Sequence, residues 1–594
     1  MAVGRVHRHV FINEKIRFKT ENFRGRVLAS RKFALAPSLR IFVESRTLFC
    51  RHLGLWYGAP LQDTTKLNLV RQSSVPANTT NMKPDQKKMV DRMLSRKAGV
   101  RNTSSTPTFR PEGTVKQRQP GQATAANRRI QNLTDKFYHE PAKSLPILDS
   151  CDVLVIGAGP AGLSAAVASA RVGADTLLVE RYGCFGGVIT TVGMETLGWY
   201  RYEGTTDVQG IGIEMEKMAS RMNPRSTKFA FNNSEILDAE MFKLVADALV
   251  EENGIRPLLH TFVVDVMMEN NAITGVIVES KSGRMAIRAK RVIDCSGDAD
   301  VAYFAGARCR SNTKKDAMGM TQVFNASGVD TDKFKQHIQE HPATYGDWSE
   351  GEWKQETVNK IDNELNSPYL SKEFAQAQQD GVLPKDLGRE GQNTIGGTWS
   401  GISDAGEATN LNLVHVKGFN PLDVRDLTKA EMLGRKNTLH ALAGLKHMVP
   451  GFENSKLRNF GMTIGIRDSR KIIGKYNLTR QDVLHEGRHA DSIGIFPEFV
   501  DGYNILVLPT SGRYFHVPYR CMLSPDVENL IVAGRCVAGD NTSHAAMRNM
   551  MACCVTGQGA GVAAAISVRD GTSTTMVDIK QVQEELKKQG VRIE

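Results

Sequence analysis

Short apolar runs alternate with segments of helical length from residue 151 onward, whereas the quarter of the chain before it is polar. The run DVLVIG has the length and composition of a strand that is buried on both faces of a sheet. An Ala-rich stretch, LSAAVASARV, and a second apolar run, DTLLVE, follow it. This order of strand, helix and strand predicts a parallel βαβ unit and therefore an α/β fold.

Later segments extend the predicted sheet. DAEMFKLVADALVEE predicts a helix, and the runs TFVVDVMMEN, AITGVIVESKSG and MAIRAKRVIDCSGDADVA predict a small meander that returns to a buried strand. Near the C-terminus, NLIVAGR predicts one more strand, and the small residues of AAMRNMMACCVTGQGAGVAAAIS predict a helix that packs closely on its neighbours. The stretch between the meander and this strand differs in composition and predicts an inserted α+β region.

These patterns divide the chain into five predicted segments. Residues 1–148 form a basic N-terminal arm, and residues 149–310 and 503–575 form the two parts of a bipartite Rossmann-like domain. Residues 311–502 form the inserted region, and residues 576–594 form a C-terminal tail helix.

The predicted arm carries the whole basic excess of the chain. Residues 1–150 contain 28 Lys and Arg against 10 Asp and Glu. The remaining residues contain 48 Lys and Arg against 54 Asp and Glu. The Arg-rich, acid-poor composition up to about residue 55 is typical of a mitochondrial presequence, with a disordered tail as the alternative. Residues 72–148 are rich in Ser, Thr, Asn, Gln and Pro and predict a largely disordered linker.

Charge and composition also limit the classes of partner. Because the folded body is slightly acidic, the net charge of +12 does not indicate a nucleic-acid partner. An RNA-binding arm is an alternative, but the arm lacks aromatic residues interleaved with its basic ones. No stretch approaches the roughly 18 uncharged apolar residues that span a bilayer, which predicts a soluble chain without a membrane segment.

A glycine fingerprint joins the first strand to the first helix. Gly157, Gly159 and Gly162 stand in the register GxGxxG, which permits a tight turn, close approach of a pyrophosphate and close packing of helix on strand. Glu180 ends the second strand, where its carboxylate can accept hydrogen bonds from a ribose diol. The complete unit predicts a dinucleotide site, which also includes the residues beside these motifs: Ala158, Pro160, Ala161 and Arg181.

From residue 151 to about 570 the chain resembles the FAD-dependent oxidoreductases of the glutathione-reductase-like superfamily. The matching segments include VIGAGPAGLSAA, ERYGCFGG, VIDCSGDADVA, GIRDSRKIIGKYNLTRQDV, HVPYRCM and NLIVAGRCVAGDNTSHAAMRNMMACC, in the family's order. The resemblance implies an FAD cofactor. It also implies that the inserted region binds a small-molecule substrate, because the reactive face of the flavin must be covered against water.

The resemblance assigns further residues to the cofactor. Gly186 and Gly187 line the path towards the flavin, Val264 meets the adenine through its backbone, and Gly297 with Asp298 turn over the pyrophosphate.

At the C-terminal end, the resemblance places Gly534 and Arg535 at the end of the closing strand and Asp540 on the ribityl chain. The N-terminus of the last helix then points towards the flavin N1 and C2 carbonyl, where it stabilises negative charge.

His544 and Arg548 are the candidates for catalysis. They stand four residues apart near the start of the last predicted helix and so share one face. We predict that His544 exchanges a proton with substrate and that Arg548 holds a substrate anion or stabilises reduced flavin, with helix capping as the alternative for both. In GIRDSR, Arg467 and Arg470 flank Asp468, which indicates either a structural ion pair or a clamp for a substrate carboxylate.

The nine cysteines lack the spacing of a metal site or of a disulfide reductase, so we predict no metal. The sequence thus predicts an enzyme that transfers a hydride between a small organic molecule and flavin N5 and then passes electrons to an unidentified acceptor. A dehydrogenase or reductase is favoured over a monooxygenase, because only one glycine fingerprint has a matching acid. The alternative is a non-catalytic or electron-carrying flavoprotein recruited through its arm. The oligomeric state, a homodimer included, is left open.

Overall fold

The computed structural model describes residues 138, 140–201, 208–222, 236–312, 314–348, 362–370, 372–387 and 393–594, with the strand segments 40–44, 47–52, 55–60 and 354–355. The helices of these residues are α1 (Pro160–Val172), α2 (Ile211–Met222), α3 (Ala239–Glu252), α4 (Asp300–Phe304), α5 (Thr331–Glu340), α6 (Lys372–Gln379), α7 (Val424–Met448), α8 (Arg480–Leu484), α9 (Asn541–Met547), α10 (Met550–Arg569) and α11 (Ile579–Lys588).

The strands are β1 (Arg40–Glu44), β2 (Thr47–His52), β3 (Leu55–Pro60), β4 (Ile147–Ile156), β5 (Thr176–Val179), β6 (Arg256–Leu258), β7 (Phe262–Glu269), β8 (Ala272–Ser280), β9 (Gly283–Asp294), β10 (Cys309–Arg310), β11 (Met320–Ser327), β12 (Lys354–Gln355), β13 (Tyr369–Leu370), β14 (Asn393–Thr398), β15 (Gly401–Ser403), β16 (Glu407–Val416), β17 (Lys456–Phe460), β18 (Lys471–Ile472), β19 (Ser492–Pro497), β20 (Val500–Gly502), β21 (Ile505–Val507), β22 (Tyr514–Pro518) and β23 (Leu530–Val532).

The first compact unit, Met1–Arg92, contains a three-stranded antiparallel sheet in which β2 lies between β1 and β3. Sequence reasoning placed no strand in the basic arm, so this sheet is an element that it missed. The rest of the predicted presequence, and the predicted disordered linker up to residue 137, lie outside the described residues.

The second compact unit, Met93–Glu594, is built on a seven-stranded sheet of order β6-β5-β4-β9-β8-β7, with β23 paired to β9. β4, β5, β6, β9 and β23 run parallel where they pair, and β7, β8 and β9 form an antiparallel meander. The residues of β5 and the C-terminal half of β4 are buried, which explains their unbroken apolar runs. The predicted βαβ unit, meander and closing strand are confirmed.

A second sheet is formed by the chain between β9 and β23. Its strands are antiparallel in the order β13-β14-β16-β11-β17, with β15 also paired to β16. Phe334 of α5 packs edge-on against Trp399 and Phe452, with ring centroids 5.0 and 5.1 Å away. The chain thus has a mixed α/β fold in which this second sheet has an apolar core of its own.

The helix α10 packs on α1 at backbone distance because its contact face is glycine. A Cβ added to Gly557 would lie 2.1 Å from the carbonyl oxygen of Ala161, and one added to Gly561 would lie 2.2 Å from that of Ala165. By length and composition α10 would also suffice to cross a membrane, which sequence reasoning overlooked, but 94% of its most apolar window is buried within the fold. Its apolar character therefore serves the core.

Candidate active site

A cavity of about 450 Å³ is lined by residues of both sheets. We call the part that carries the predicted nucleotide motifs the cradle, which consists of Gly157, Gly159, Pro160, Ala161, Glu180, Arg181, Gly187, Gly297, Asp298, Gly534 and Arg535. We call a second part of the lining the outer wall, which consists of Thr196, Trp199, Thr321, Tyr345, Trp399, Asn410, Asn412, Arg467 and Phe499. Arg548, Asn549, Met550 and Cys553, at and beside the start of α10, also line the cavity.

The glycine turn of the cradle is shaped by two backbone contacts. Gly157 has a positive φ of 91°, and a Cβ on it would lie 2.5 Å from the carbonyl oxygen of Cys295. A Cβ on Gly162 would lie 1.7 Å from the carbonyl oxygen of Gly157. Gly159 differs, because its φ is −72° and the nearest atom to an added Cβ is 3.8 Å away, on Gly187. The protein itself therefore requires glycine at two of the three positions.

Gly159 is the N-cap residue of α1 and provides no side-chain hydrogen bond to the first turn of the helix. The first N–H groups of α1 thus face the cavity without a capping side chain, which is the arrangement that binds a phosphate. Gly187 lies opposite, at a φ of 53°, where a Cβ would come within 2.5 Å of Gly159 Cα. Two backbones approach each other here, and the space beside them is left for a ligand.

Glu180 is buried and bound at both carboxylate oxygens. Oε2 accepts a hydrogen bond of 2.7 Å from the Ala158 backbone N–H, and Oε1 accepts one of 3.0 Å from that of Tyr182. These bonds hold the carboxylate beside the cavity, where remaining lone pairs can accept from a ribose diol. Ala158 does not line the cavity, and its backbone N–H fixes the Glu180 carboxylate from behind.

Three other predicted residues also lie behind the lining. Gly162 is covered by the turn, and Gly186 lies against Thr190 and Phe242. On β7 the cavity is lined by Phe262 and Val263, whereas Val264 is not among the lining residues. The predicted contact of the adenine with the Val264 backbone stays a prediction.

The turn DCSGD is held by Asp294, which sequence reasoning did not single out. Its Oδ1 accepts bonds from the N–H of Ser296, at 3.0 Å, and from its hydroxyl, at 2.6 Å, and Oδ2 accepts from Ala302 N–H at 3.0 Å. This acid fixes the turn, so that Gly297, at a φ of 80°, presents its backbone to the cavity below Arg535.

Asp298 and Arg535 form a buried ion pair, with Arg535 Nη2 2.6 Å from Asp298 Oδ1. Burial alone would raise the pKa of Asp298, but the Arg535 guanidinium and a 2.6 Å bond from Ser469 Oγ hold that pKa below its usual range. Arg535 also donates to the carbonyl oxygen of Ile466 at 2.7 Å. The pair thus connects the end of β23, the DCSGD turn and the loop after β17.

The C-terminal helix of the prediction is two helices, broken at Arg548 and Asn549. Asp540 caps the first, α9, by accepting from the backbone N–H of Ser543 at 2.8 Å and of Arg480 at 2.5 Å. Asp540, assigned to the ribityl chain by resemblance, is not among the residues that line the cavity. Its local bonds explain the acid without a ligand.

The two candidate catalytic residues are separated by the same break. Arg548 reaches the cavity and pairs with Asp501, its Nη2 lying 2.8 Å from Oδ2. His544 is buried outside the lining, where its Nε2 lies 3.1 Å from the Arg467 carbonyl oxygen and 3.8 Å from Asp468 Oδ1. Burial and the charge of Lys471 hold the pKa of His544 well below its usual range. The neutral imidazole positions the loop that carries Arg467, and the predicted proton exchange of His544 with substrate stays a prediction.

Several buried polar atoms of the cavity have no hydrogen-bond partner among the described residues. They are Thr196 Oγ1, Thr321 Oγ1, Asn410 Oδ1, Asn412 Oδ1, Arg535 Nε and Arg548 Nε. A buried polar group without a partner is costly, at about 1 to 3 kcal/mol each, so their collection around one cavity indicates a polar ligand. Together with the uncapped α1, these atoms suit a cofactor that carries a pyrophosphate and a polar ring system.

Of the outer wall, sequence reasoning singled out Arg467 and missed the other residues. Trp199 donates from Nε1 to the Tyr345 hydroxyl at 2.9 Å, and its ring lies 5.4 Å from Tyr345 and 6.4 Å from Phe499. Asn410 and Asn412 both reach the cavity from β16, as residues two apart on one strand do. These residues come from distant segments without a shared motif, so only the fold brings them together.

Comparisons with known proteins identify a family for this chain. Residues 152–586 match the family described as FAD dependent oxidoreductase. Among curated proteins, the chain is 32% identical over 179 residues to the thiamine thiazole synthase of Aeropyrum pernix, over 28% of this chain and 60% of that protein. It is 28% identical over 192 residues to the digeranylgeranylglycerophospholipid reductase of Picrophilus torridus, over 31% of this chain and 48% of that protein. The chain spans less than two thirds of the length of both relatives.

Among solved structures, a geranylgeranyl bacteriochlorophyll reductase-like protein from Thermoplasma acidophilum aligns with a TM-score of 0.35 and 15% identity, over 74% of this chain and 82% of that one. The p-nitrophenol 4-monooxygenase of Pseudomonas putida aligns with a TM-score of 0.36 and 10% identity, over 74% of this chain and 85% of that one. The cofactor of this chain is FAD. Because the family match covers well over half of its residues, the chain belongs to the FAD-dependent oxidoreductase family.

Proposed function

We propose that this protein transfers a hydride between a small organic substrate and FAD, and then passes the electrons to a separate acceptor. The observation that carries the proposal is one continuous cavity that joins the nucleotide cradle to the outer wall. The start of α10 contributes to the lining of the same cavity. A cofactor held in the cradle would thus have its reactive end beside unpartnered polar groups of the outer wall.

The residues of the chain contribute binding, orientation and exclusion of water. FAD supplies the two-electron chemistry, because its ring accepts a hydride without a nucleophile from the protein. The N-cap residue of α10, Asn549, provides no side-chain bond to the first turn, so free N–H groups are available to negative charge. Arg548 adds a positive charge at the same place, and the aromatic residues of the outer wall keep water out.

We further propose that the enzyme is a dehydrogenase or reductase. The sequence contains one glycine fingerprint followed by a matching acid, Glu180, which serves one dinucleotide. A monooxygenase that uses a nicotinamide cofactor needs a route for that second nucleotide as well. The preference is tested by the products, because a monooxygenase adds an oxygen atom to its substrate and a dehydrogenase does not.

The domain division belongs to the same proposal. We propose that residues 149–310 and 503–575 form a bipartite FAD domain of the glutathione-reductase-like type, and that residues 311–502 bind the substrate. Support comes from the pairing of β23 with β9, two strands that the whole second sheet separates in the sequence. Further support comes from the outer-wall residues that the second sheet contributes to the cavity.

We also propose mitochondrial import through the basic N-terminal segment. Its support is the excess of Arg and Lys over acidic residues in the first 55 positions. A fusion of residues 1–60 to a fluorescent protein should locate to mitochondria, and a matched fusion with the Arg residues of this segment replaced by Gln should not.

The decisive experiment for the proposed function is spectroscopic. The purified protein should show flavin bands, and acid should release FAD from it. Under anaerobic conditions, candidate metabolites are added until one bleaches the flavin, and turnover is then followed with oxygen or with a dye as acceptor. A flavin that stays oxidised with every metabolite, while dithionite reduces it, would favour an electron-carrying or non-catalytic protein.

A further inference from the structure

Arg467 lines the cavity, and its guanidinium has no salt-bridge partner among the described residues. Its one hydrogen bond within the described chain joins Nη2 to the ring nitrogen of His415, at 3.4 Å. Burial and the neighbouring Arg467 and Lys417 charges hold the pKa of His415 well below its usual range, so this partner is neutral. The negative charge of Asp501 acts on Arg467, but the Asp501 carboxylate is already paired with Arg548, whose Nη2 lies 2.8 Å from Oδ2.

The loop that carries Arg467 is fixed on several sides. Thr321 and Gly465 exchange backbone hydrogen bonds of 2.9 and 2.8 Å, and Arg535 donates to the Ile466 carbonyl oxygen at 2.7 Å. The Arg467 carbonyl oxygen itself accepts from His544 at 3.1 Å. The guanidinium is thus presented to the cavity by a rigid backbone, as a specific ligand contact requires.

The charges around this part of the cavity do not cancel. Arg467 and Arg548 are positive, and Asp501 is the acid that faces them. Burial, opposed by the charge of Asp501 and assisted by that of Arg548, lowers the pKa of Arg467 to about 10. Asp501 compensates the Arg467 guanidinium only in part, because its carboxylate is paired with Arg548. A single negative charge on a ligand would restore neutrality.

The remaining outer wall indicates the rest of the ligand. Trp199, Tyr345 and Phe499 form an aromatic surface, with ring centroids 5.4 and 6.4 Å from that of Trp199. Aromatic surfaces of this kind bind apolar or aromatic groups, and the unpartnered amide oxygens of Asn410 and Asn412 accept from a polar substituent.

We infer that the substrate is an organic monocarboxylic acid with an apolar or aromatic body, and that Arg467 binds its carboxylate. A guanidinium binds a carboxylate in a bidentate manner, which fixes its orientation as well as its charge. The inference rests on the proposed function, since it places the substrate between the outer wall and the cofactor.

The test measures binding of benzoate to the FAD-loaded protein by calorimetry, with the flavin difference spectrum as a second readout. Benzoate should bind saturably and perturb the flavin bands, whereas benzamide, which has the same ring without the charge, should bind at least tenfold more weakly. Arg467→Gln should weaken benzoate binding about 10- to 100-fold, and Arg467→Lys should retain part of it. The control is Arg458→Gln, because Arg458 is paired with Glu407 outside the cavity, at 3.1 Å.

The stability of the variant separates ligand binding from a structural role. Because Arg467 is partly buried and has no counterion among the described residues, Arg467→Gln should leave the melting temperature unchanged or raise it. The inference is overturned if wild-type protein ignores benzoate, if Arg467→Gln binds it equally well, or if that variant loses FAD. Calorimetry needs no turnover, so benzoate binding without any reducing metabolite would count against the proposed function alone.

Discussion

The two sides of the cavity are built by opposite means. The cradle uses backbone: glycines at fixed spacing, the N-terminus of α1 and a carboxylate tied to neighbouring N–H groups. The outer wall uses side chains that come from separate strands and loops of the second sheet and its surroundings. A site built from backbone recognises the pyrophosphate and ribose that all dinucleotides share. A site built from side chains determines which substrate binds.

The cradle and the outer wall also place different requirements on the residues at their positions. In the cradle, glycine is required where a Cβ would collide with the protein, as at Gly157 and Gly162. Gly159 has room for a Cβ, so there glycine is required by the ligand alone. In the outer wall, the unpartnered amide oxygens of Asn410 and Asn412 are retained at a cost to stability, which a ligand offsets.

The largest expected effect is that of Gly162→Ala. The new Cβ would lie 1.7 Å from the Gly157 carbonyl oxygen, a contact between two backbones that no rotamer relieves. We expect the free energy of unfolding to fall by about 4 kcal/mol or more, with little folded protein recovered. Circular dichroism and thermal melting of the purified variant measure this directly.

Gly159→Ala is the matched variant of the same fingerprint. Its Cβ would find the nearest atom at 3.8 Å and a φ that alanine adopts freely, so the apoprotein should melt like the wild type. FAD affinity should fall about 100-fold, because the methyl group occupies the approach of the pyrophosphate. Full retention of FAD by this variant would refute the backbone model of the cradle.

The ion pair of Asp298 and Arg535 gives the next effect. Asp298→Asn leaves the buried guanidinium without its counterion, and we expect a loss of about 3 kcal/mol in the free energy of unfolding. Because the pKa of Asp298 is lowered in the folded state, this stabilisation is fully present above about pH 4 and is lost as the pH falls through the folded value.

Urea unfolding from pH 7 down to pH 3 checks the prediction for Asp298. The difference between wild type and Asp298→Asn should stay constant to about pH 4 and shrink below it. As a control, Asp526→Asn removes an exposed pair with Arg308 and should have no measurable effect. A difference that vanished already at pH 6 would show that Asp298 is protonated in the native protein.

The contrast between the two walls also explains what the sequence could predict. The strand, glycine turn, helix and acid form one local unit, so the cradle could be predicted from adjacent residues. The cofactor and catalytic roles of Val264, Asp540 and His544 stay predictions, and a cap or a buried hydrogen bond leaves no mark in sequence that distinguishes it from a ligand contact. Arg467 was singled out as a possible carboxylate clamp, but the rest of the outer wall could not be predicted, because its members come from distant segments that only the fold brings together.

Glu180→Gln tests the acid of the cradle. The amide can accept only one of the two backbone bonds, from Ala158 and Tyr182, and it brings its NH₂ group against the other donor. We expect FAD affinity to fall about tenfold, measured by fluorescence titration of the apoprotein with FAD. Glu214→Gln changes the same group in an exposed pair with Arg171 and should leave that affinity unchanged.

His544 gives the smallest effect and distinguishes positioning from catalysis. Since its Nε2 donates to the Arg467 carbonyl oxygen, His544→Ala should loosen the loop and weaken benzoate binding about fivefold, while FAD content stays full. His544→Gln should restore most of the affinity, because its amide can donate the same bond.

The pH profile of benzoate binding then decides between the two roles of His544. Burial and the charges of Lys471 and Arg548 oppose its protonation, and Asp468, at 3.8 Å, does not overcome them. The imidazole therefore stays neutral, and the affinity of wild-type protein should be flat between pH 6 and 8, then fall near pH 10 as Arg467 loses its proton. A step near pH 6.5 that His544→Gln abolishes would show that His544 titrates with the ligand and would return it to the catalytic role.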